Sequence, residues 1–137
     1  CGCHPLYCNW DNDYTQLANA PERDQLIGIY NLSESSKEYL IDEGFLEVGS
    51  QLVLKSDGQF ILNKAPDNIF NSTGNSNKKL ITKTGKWYVS CDSSYLCMIE
   101  LEGVCVTPLS DKNGQLAIPI TIGDADVCKG IVYEKTK

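Results

Sequence analysis

The stretch Leu52-Val-Leu-Lys-Ser-Asp57-Gly58-Gln-Phe-Ile-Leu62 carries the strongest local fold signal of the chain. Two apolar runs flank the pair Asp57-Gly58. Such a pair is typical of a two-residue β-hairpin turn, in which both central residues need positive φ. The stretch therefore predicts two antiparallel strands joined by a tight turn.

Further strands are predicted on both sides of this hairpin. Leu26–Leu32 is a β-rich run that makes a first strand, and four later runs are separated by turn residues. These four runs are residues 85–90, 96–102, 116–122 and 130–134. Together they predict a mainly β fold: an antiparallel meander of six to eight strands, forming a small barrel or a strongly curved sheet.

One short helix is predicted directly after the first strand, over Ser33–Glu43. Ser35 and Glu38 have the spacing of a capping box, and Gly44 stands where a left-handed helix end needs glycine. The helix has few apolar residues, so we expect it to lie against the sheet and to depend on it for stability.

Length and charge limit the classes of protein to which the chain can belong. Its 137 residues suffice for one domain. We assign residues 26–137 to a β domain, and residues 1–25, which have no strand or helix periodicity, to a tether. The net charge of −6 argues against nucleic-acid binding. No apolar run approaches the ~20 residues that a membrane-spanning helix needs.

Seven cysteines indicate an oxidising compartment. Cys1 is the odd one, and a leading cysteine is typical of a mature bacterial lipoprotein, whose acyl chains it carries. The alternative is that a cleavage boundary happens to fall there. We expect the other six cysteines to form structural disulfides. Six cysteines allow about 15 connectivities, which the sequence leaves open. The favoured one pairs Cys3 with Cys8, Cys91 with Cys97 and Cys105 with Cys128.

The chain offers no complete catalytic set, so we expect no enzyme and no metal or other cofactor. His4, the only histidine, lies in the tether, which leaves Ser-His-Asp and Cys-His mechanisms without their base. We interpret Asp124 and Asp126 as turn residues rather than a catalytic or calcium-binding pair. Asp11 and Asp13 are interpreted as a solvated acidic linker rather than calcium ligands.

The aromatic residues fall into two groups. Those on predicted strands are expected to fill the core rather than to line a ligand cavity. They are Tyr30, Phe60, Trp87, Tyr88 and Tyr133. Those in the tether have no core of their own and are candidates for binding a partner protein. They are Tyr7, Trp10 and Tyr14.

The order of motifs along residues 26–135 resembles that of small lipocalin-like lipoproteins of Bacteroidetes, especially flavobacteria. The motifs are GIYNLSESSKEYLIDEG (28–44), LVLKSDGQF (52–60), Pro66–Phe70, GKW (85–87) and ITIGDADVCKGIVYEK (120–135). The resemblance implies an outer-membrane lipoprotein with a lipocalin-like sheet, and it implies no settled activity. Two features depart from true lipocalins, in which the Gly-x-Trp element belongs to the first strand and the helix packs outside near the end.

These observations predict a non-enzymatic outer-membrane lipoprotein, attached through the lipid on Cys1. We expect it to act as an accessory or structural subunit of a larger envelope protein complex. One alternative is a lipocalin-like carrier of a small hydrophobic ligand, which requires a closed barrel with an internal cavity. Another is an inhibitor or immunity-type protein, which fits the acidity and small size.

Overall fold

A computed structural model describes residues 13–71, 73–91, 96–123 and 128–136, and in these residues the chain is mainly β. The predicted fold class is confirmed: ten antiparallel strands form one sheet that curls into a nearly closed barrel. The strands are β1 (Thr15–Gln16), β2 (Gly28–Leu32), β3 (Gln51–Leu54), β4 (Gln59–Pro66), β5 (Leu80–Cys91), β6 (Cys97–Leu101), β7 (Cys105–Pro108), β8 (Ser110–Lys112), β9 (Gln115–Thr121) and β10 (Gly130–Lys135). Their order in the sheet is β1-β8-β9-β10-β2-β3-β4-β5-β6-β7. The sequence does not predict the three strands β1, β7 and β8, because they are too short to show a period of two.

Three short helical segments connect the strands: α1 (Arg23–Leu26), α2 (Glu34–Asp42) and a 3-10 turn (Asp67–Phe70). Helix α2 confirms the predicted helix, but its start is capped by Ser33, whose hydroxyl accepts from the Ser36 amide at 3.2 Å. The predicted capping box of Ser35 and Glu38 is therefore wrong. Ser33 is the N-cap because it is the last extended residue before the helix, which is the position that a capping residue occupies.

The end of α2 is a Schellman motif around Gly44, as its position in the sequence predicts. Gly44 has φ 101°, the Phe45 amide donates to the Leu40 carbonyl at 3.0 Å, and the Gly44 amide donates to the Ile41 carbonyl at 3.0 Å. Leu40 and Phe45 are both buried in the core. The motif therefore turns the chain so that both apolar side chains pack on one end of the barrel.

The β3–β4 hairpin is confirmed, but its turn differs from the prediction. The Gly58 amide donates to the Lys55 carbonyl at 3.1 Å, and the Lys55 amide donates to the Gln59 carbonyl at 2.9 Å. The loop thus has three residues, and Gly58 alone has positive φ, at 86°. Asp57 avoids positive φ and accepts the Gln59 amide with its carboxylate at 3.0 Å. This geometry is that of a turn followed by a glycine bulge.

A two-residue turn with two positive φ values does occur, at Asn113-Gly114. It joins β8 to β9, where Lys112 pairs directly with Gln115. The hairpin signature that we assigned to the first pair therefore applies to this second one, which also contains the favoured Asn-Gly sequence.

Aromatic side chains fill the barrel interior, as expected. Tyr30, Phe60 and Tyr133 are fully buried and Trp87 is 3% exposed. The prediction is wrong for Tyr88, which is 48% exposed, because it follows the buried Trp87 in β5 and successive strand side chains point to opposite faces. Large aromatic groups contribute most of the apolar area that such a small core can bury.

Gly85 makes room for one of these rings. It pairs with Phe60 across β4 and β5, and a Cβ at this position would lie 2.9 Å from Phe60 Cε1 and 3.0 Å from the Glu102 carbonyl oxygen. The glycine of the Gly85-x-Trp87 element is thus required by the close approach of the Phe60 ring, and not by an unusual φ.

A hydrogen-bonded chain crosses the core from β10 to β4. The Ser50 hydroxyl donates to the Asn63 carbonyl at 2.8 Å and lies 2.7 Å from the Tyr133 hydroxyl. Because a serine hydroxyl has one hydrogen, Tyr133 must donate to Ser50. The acceptor carbonyl of Asn63 immediately precedes Lys64, whose φ of 51° belongs to the bulge in β4.

The backbone of Leu17 lies between Leu109, which precedes β8, and Cys97 in β6, and it joins these two parts of the sheet. Its amide donates to the Leu109 carbonyl at 2.9 Å, and its carbonyl accepts from the Cys97 amide at 2.8 Å. Residues 15–17 therefore belong to the barrel, although the sequence assigns residues 1–25 to a tether. The segment is only three residues long, too short to show alternation, so its role depends on partners far away in the chain.

The disulfide prediction is partly confirmed. Cys91 and Cys97 are bonded across the β5–β6 hairpin, with Cα atoms 4.1 Å apart. The predicted Cys105–Cys128 bridge is wrong: Cys128 is disulfide-bonded, but the Cys105 thiol is free and buried. Cys105 pairs with Leu101 within the β6–β7 hairpin, whereas Cys128 precedes β10 in a left-handed conformation. The predicted partners Cys3 and Cys8 lie outside the described residues.

Candidate functional site

An open cleft of about 800 Å³ lies at one end of the barrel and is here named the mouth cleft. Its walls come from three parts of the chain: residues 17–25, the β8–β9 hairpin and the end of β10. The turn Asn113-Gly114 forms part of its rim. Mouths of β-barrels are frequent places for binding sites, because strand ends and connecting segments meet there around a rigid frame.

The strand register shows which side chains face into this cleft. Tyr30 points into the barrel, and it pairs with Lys135. The β9–β10 register ends at the pair Glu134–Ala117, and continuing it by one residue places Lys135 opposite Leu116. Leu116 pairs with Asp111. Directly paired residues share a face. Asp111, Leu116 and Lys135 therefore form one row on the inner face, while Lys112 and Glu134 lie on the outer face.

The two charges of the inner row are not paired with each other or with another charge. Among the residues that the structure describes, the half-buried Asp111 carboxylate has neither a hydrogen bond nor an ion pair. The Lys135 ammonium donates to the backbone carbonyl of Gln25, which is a neutral partner. The inner row thus keeps one negative and one positive group available to a ligand.

Gly28 allows the Lys135 side chain to cross the mouth. A Cβ at this position would lie 3.0 Å from Lys135 Cε, and Gly28 has φ 147°. The end of β10 is held from the other side by Gln115, whose side-chain amide donates to the Lys135 carbonyl at 2.7 Å. Both contacts position the ammonium group over the cleft.

The floor of the mouth cleft is apolar. Leu17 and Leu116 are partly buried and pack against the main core. Asn19 adds a side-chain amide that can donate and accept hydrogen bonds. Gln25 adds the donor group Nε2, while its Oε1 accepts the Glu22 amide at 3.1 Å. The cleft therefore combines an apolar floor with polar walls of both charges.

Tyr14 packs on the outer face of its own barrel, and its role in binding a partner stays a prediction. Its hydroxyl donates to Glu134 Oε2 at 2.6 Å, and Lys112 Nζ lies 5.7 Å from its ring centroid. Burial, followed by the hydrogen bond and charge of Glu134, raises the pKa of Tyr14 far above its usual value. The phenol therefore stays neutral and lies beside Glu134 and Lys112 on the outer face. These interactions hold the segment before β2 against the barrel.

The remaining predicted site residues lie outside the described residues. They are Cys1, His4, Tyr7, Trp10, Asp11, Asp124 and Asp126. Asp13 is described and exposed. Within the described ranges, no three His, Cys, Asp or Glu side chains are grouped to hold a metal ion. In the same ranges, no helix is long and apolar enough to cross a membrane.

Sequence reasoning did not identify Asp111, Leu116 and Lys135 as a set. The Asn113-Gly114 pair is a signal that could have located the β8–β9 hairpin. The inward orientation of Asp111 and Lys135 follows from the register of three strands, and a single sequence does not give that register.

Comparisons with known protein families, with curated proteins and with solved structures find no match to this chain.

Proposed function

We propose that this protein is a non-enzymatic accessory subunit that binds a partner of a larger envelope complex through the mouth cleft. The observation that carries the proposal is the cleft itself. Its volume of about 800 Å³ lies within the usual range of binding sites, about 300–1,000 Å³. The half-buried carboxylate of Asp111, which has no hydrogen-bond or ion-pair partner among the described residues, lies inside it.

The alternative of a carrier for a small hydrophobic ligand receives less support. A barrel of this kind holds such a ligand in its interior. Here Tyr30, Phe60 and Tyr133 occupy the interior. The mouth cleft is lined by amides and charges, which favour a polar ligand. No contact among the described residues favours the alternative of an inhibitor or immunity-type protein over a complex subunit.

The cellular location stays a prediction. The Cys91–Cys97 disulfide supports an oxidising compartment such as the bacterial envelope. Lipid attachment at Cys1 would place the barrel at the outer membrane. The mass of the first tryptic peptide from protein purified from its native membranes tests this point, because acyl chains add a large apolar mass and an unmodified thiol adds none.

Cross-linking of the full-length protein in native envelopes tests the proposed role. Asp111→Arg reverses the charge in the cleft, and Glu100→Arg makes the same change on the exposed outer face of β6. We expect cross-links from the mouth cleft to a partner in the wild type, their loss in Asp111→Arg and their retention in Glu100→Arg. Equal thermal midpoints of the two variants exclude misfolding as the cause. Cross-links that are identical in both variants would contradict the proposal, as would the absence of any partner.

A further inference from the structure

The inner row of the mouth cleft has a defined charge pattern. Asp111, Leu116 and Lys135 lie on three neighbouring strands, β8, β9 and β10. Neighbouring strands are about 4.8 Å apart, so the backbone positions of the two charged residues lie about 10 Å apart. Leu116 lies midway between them and presents an apolar side chain to the same face.

Two further charged residues, Lys112 and Glu134, also line the cleft. Lys112 and Glu134 belong to the outer face, where Tyr14 contacts both. The inner face therefore offers a negative group, an apolar group and a positive group in a row. A complementary ligand carries a cation, an apolar group and an anion in the same order.

An extended polypeptide can present such an order. Side chains at positions i, i+2 and i+4 of a strand point to one side, and positions i and i+4 are about 13 Å apart. Long charged side chains at these two positions can lean inwards to groups about 10 Å apart. The backbone between them has amides and carbonyls that Asn19 and Gln25, at the cleft wall, can pair with.

We infer that the mouth cleft binds an extended peptide segment in which a basic and an acidic residue flank an apolar one, each two positions away. The basic side chain pairs with Asp111, the acidic one with Lys135, and the apolar one packs on Leu17 and Leu116. This inference rests on the proposed function, since it names the chemistry of the partner that the same cleft would bind.

Titration calorimetry of the full-length protein with short peptides tests the inference. The probe is acetyl-Lys-Ser-Leu-Ser-Glu-amide. Three matched controls replace its lysine with glutamine, its glutamate with glutamine, or its leucine with serine. We expect the probe to bind and each charge replacement to weaken binding up to about fivefold, the effect of one partly exposed ion pair. The leucine replacement should weaken binding as well, because it removes the contact with the apolar floor.

Variants of the protein assign each charge to its partner. Asp111→Asn should remove the difference between the probe and its lysine-replaced control, and it should keep the difference for glutamate. Lys135→Gln should do the converse, and Glu100→Gln on the outer face should change neither. The inference is overturned if the probe does not bind, or if the lysine and glutamate differences persist in Asp111→Asn and Lys135→Gln.

The two sets of experiments separate the inference from the proposed function. If Asp111→Arg loses the envelope cross-links while the probe does not bind, the cleft has a partner of other chemistry and only the inference fails. If the probe binds with the expected pattern while the cross-links are unaffected by Asp111→Arg, the inference stands and the proposed role in a complex fails.

Discussion

Removing the hydroxyl groups of the chain Tyr133–Ser50–Asn63 should destabilise the barrel to different and predictable degrees. Tyr133 donates to Ser50 and Ser50 donates to the Asn63 carbonyl, with distances of 2.7 and 2.8 Å. Tyr133→Phe deletes one donor, and Ser50 keeps its own bond to Asn63. We expect this variant to lose about 1 kcal/mol of unfolding free energy, the net value of one buried hydrogen bond.

Ser50→Ala should cost more than Tyr133→Phe. It leaves the fully buried Tyr133 hydroxyl without an acceptor and the Asn63 carbonyl without its side-chain donor. A buried polar group without a partner costs about 1–3 kcal/mol, so we expect a loss of about 2–3 kcal/mol. The double variant should lose less than the sum of the two, because Tyr133→Phe removes the hydroxyl that Ser50→Ala strands.

Urea unfolding followed by tryptophan fluorescence measures these free energies. Ser33→Ala serves as a control for loss of a serine hydroxyl at a helix cap outside this chain, with an expected cost of about 1 kcal/mol. The reasoning is refuted if Ser50→Ala is no more destabilising than Tyr133→Phe, or if the two losses simply add. Either result would show that Tyr133 does not depend on Ser50 for its acceptor.

Three further predictions concern the core, the cross-link and the response to alkali. Gly85→Ala should destabilise by about 1–3 kcal/mol in urea unfolding, because its Cβ would lie 2.9 Å from the Phe60 ring; an unchanged midpoint would show that the ring can move aside. Replacing both Cys91 and Cys97 with serine should cost about 2.4 kcal/mol of unfolding free energy, because the open chain regains conformational freedom, and an unchanged free energy would contradict this. Reduction of the wild type should cost more, because it also opens the disulfide of Cys128. Burial raises the pKa of Tyr30 far above its usual value. The contribution of the neutral phenol to stability is therefore complete below the unfolded-state pKa of about 10 and is lost as the pH rises above that value. The unfolding free energy should fall between neutral pH and about pH 11, and it should fall less in Tyr30→Phe.

The fold class could be predicted because its signals are local. Alternating apolar residues and the Asp57-Gly58 pair specify a hairpin wherever they occur, and Gly44 marks a helix end by its own conformational freedom. The details of these elements depended on neighbours. Asp57 accepts the Gln59 amide with its side chain, and this contact favours a three-residue loop over the two-residue turn that the pair alone suggests.

The candidate site could not be predicted because it is defined by register. Asp111 and Lys135 are 24 positions apart in the sequence, and only the strand register places them on the two sides of Leu116 in β9. The same limit explains the wrong bridge: Cys105 and Cys128 occur on either side of β9, but a shared neighbourhood in the sequence does not align two thiols. The hydrogen bond between Tyr14 and Glu134 could not be predicted either, because the two residues are 120 positions apart in the sequence.

The two backbone hydrogen bonds of Leu17 help to protect this barrel from self-association. Leu17 satisfies the hydrogen-bonding capacity of two backbone groups, the Leu109 carbonyl and the Cys97 amide. A cut in the exposed segment that follows Leu17 would free the short strand and uncover both groups. Unpaired strand edges recruit other chains into fibrils and aggregates. Proteolytic nicking there should therefore promote aggregation of the protein under conditions in which the core itself is still folded.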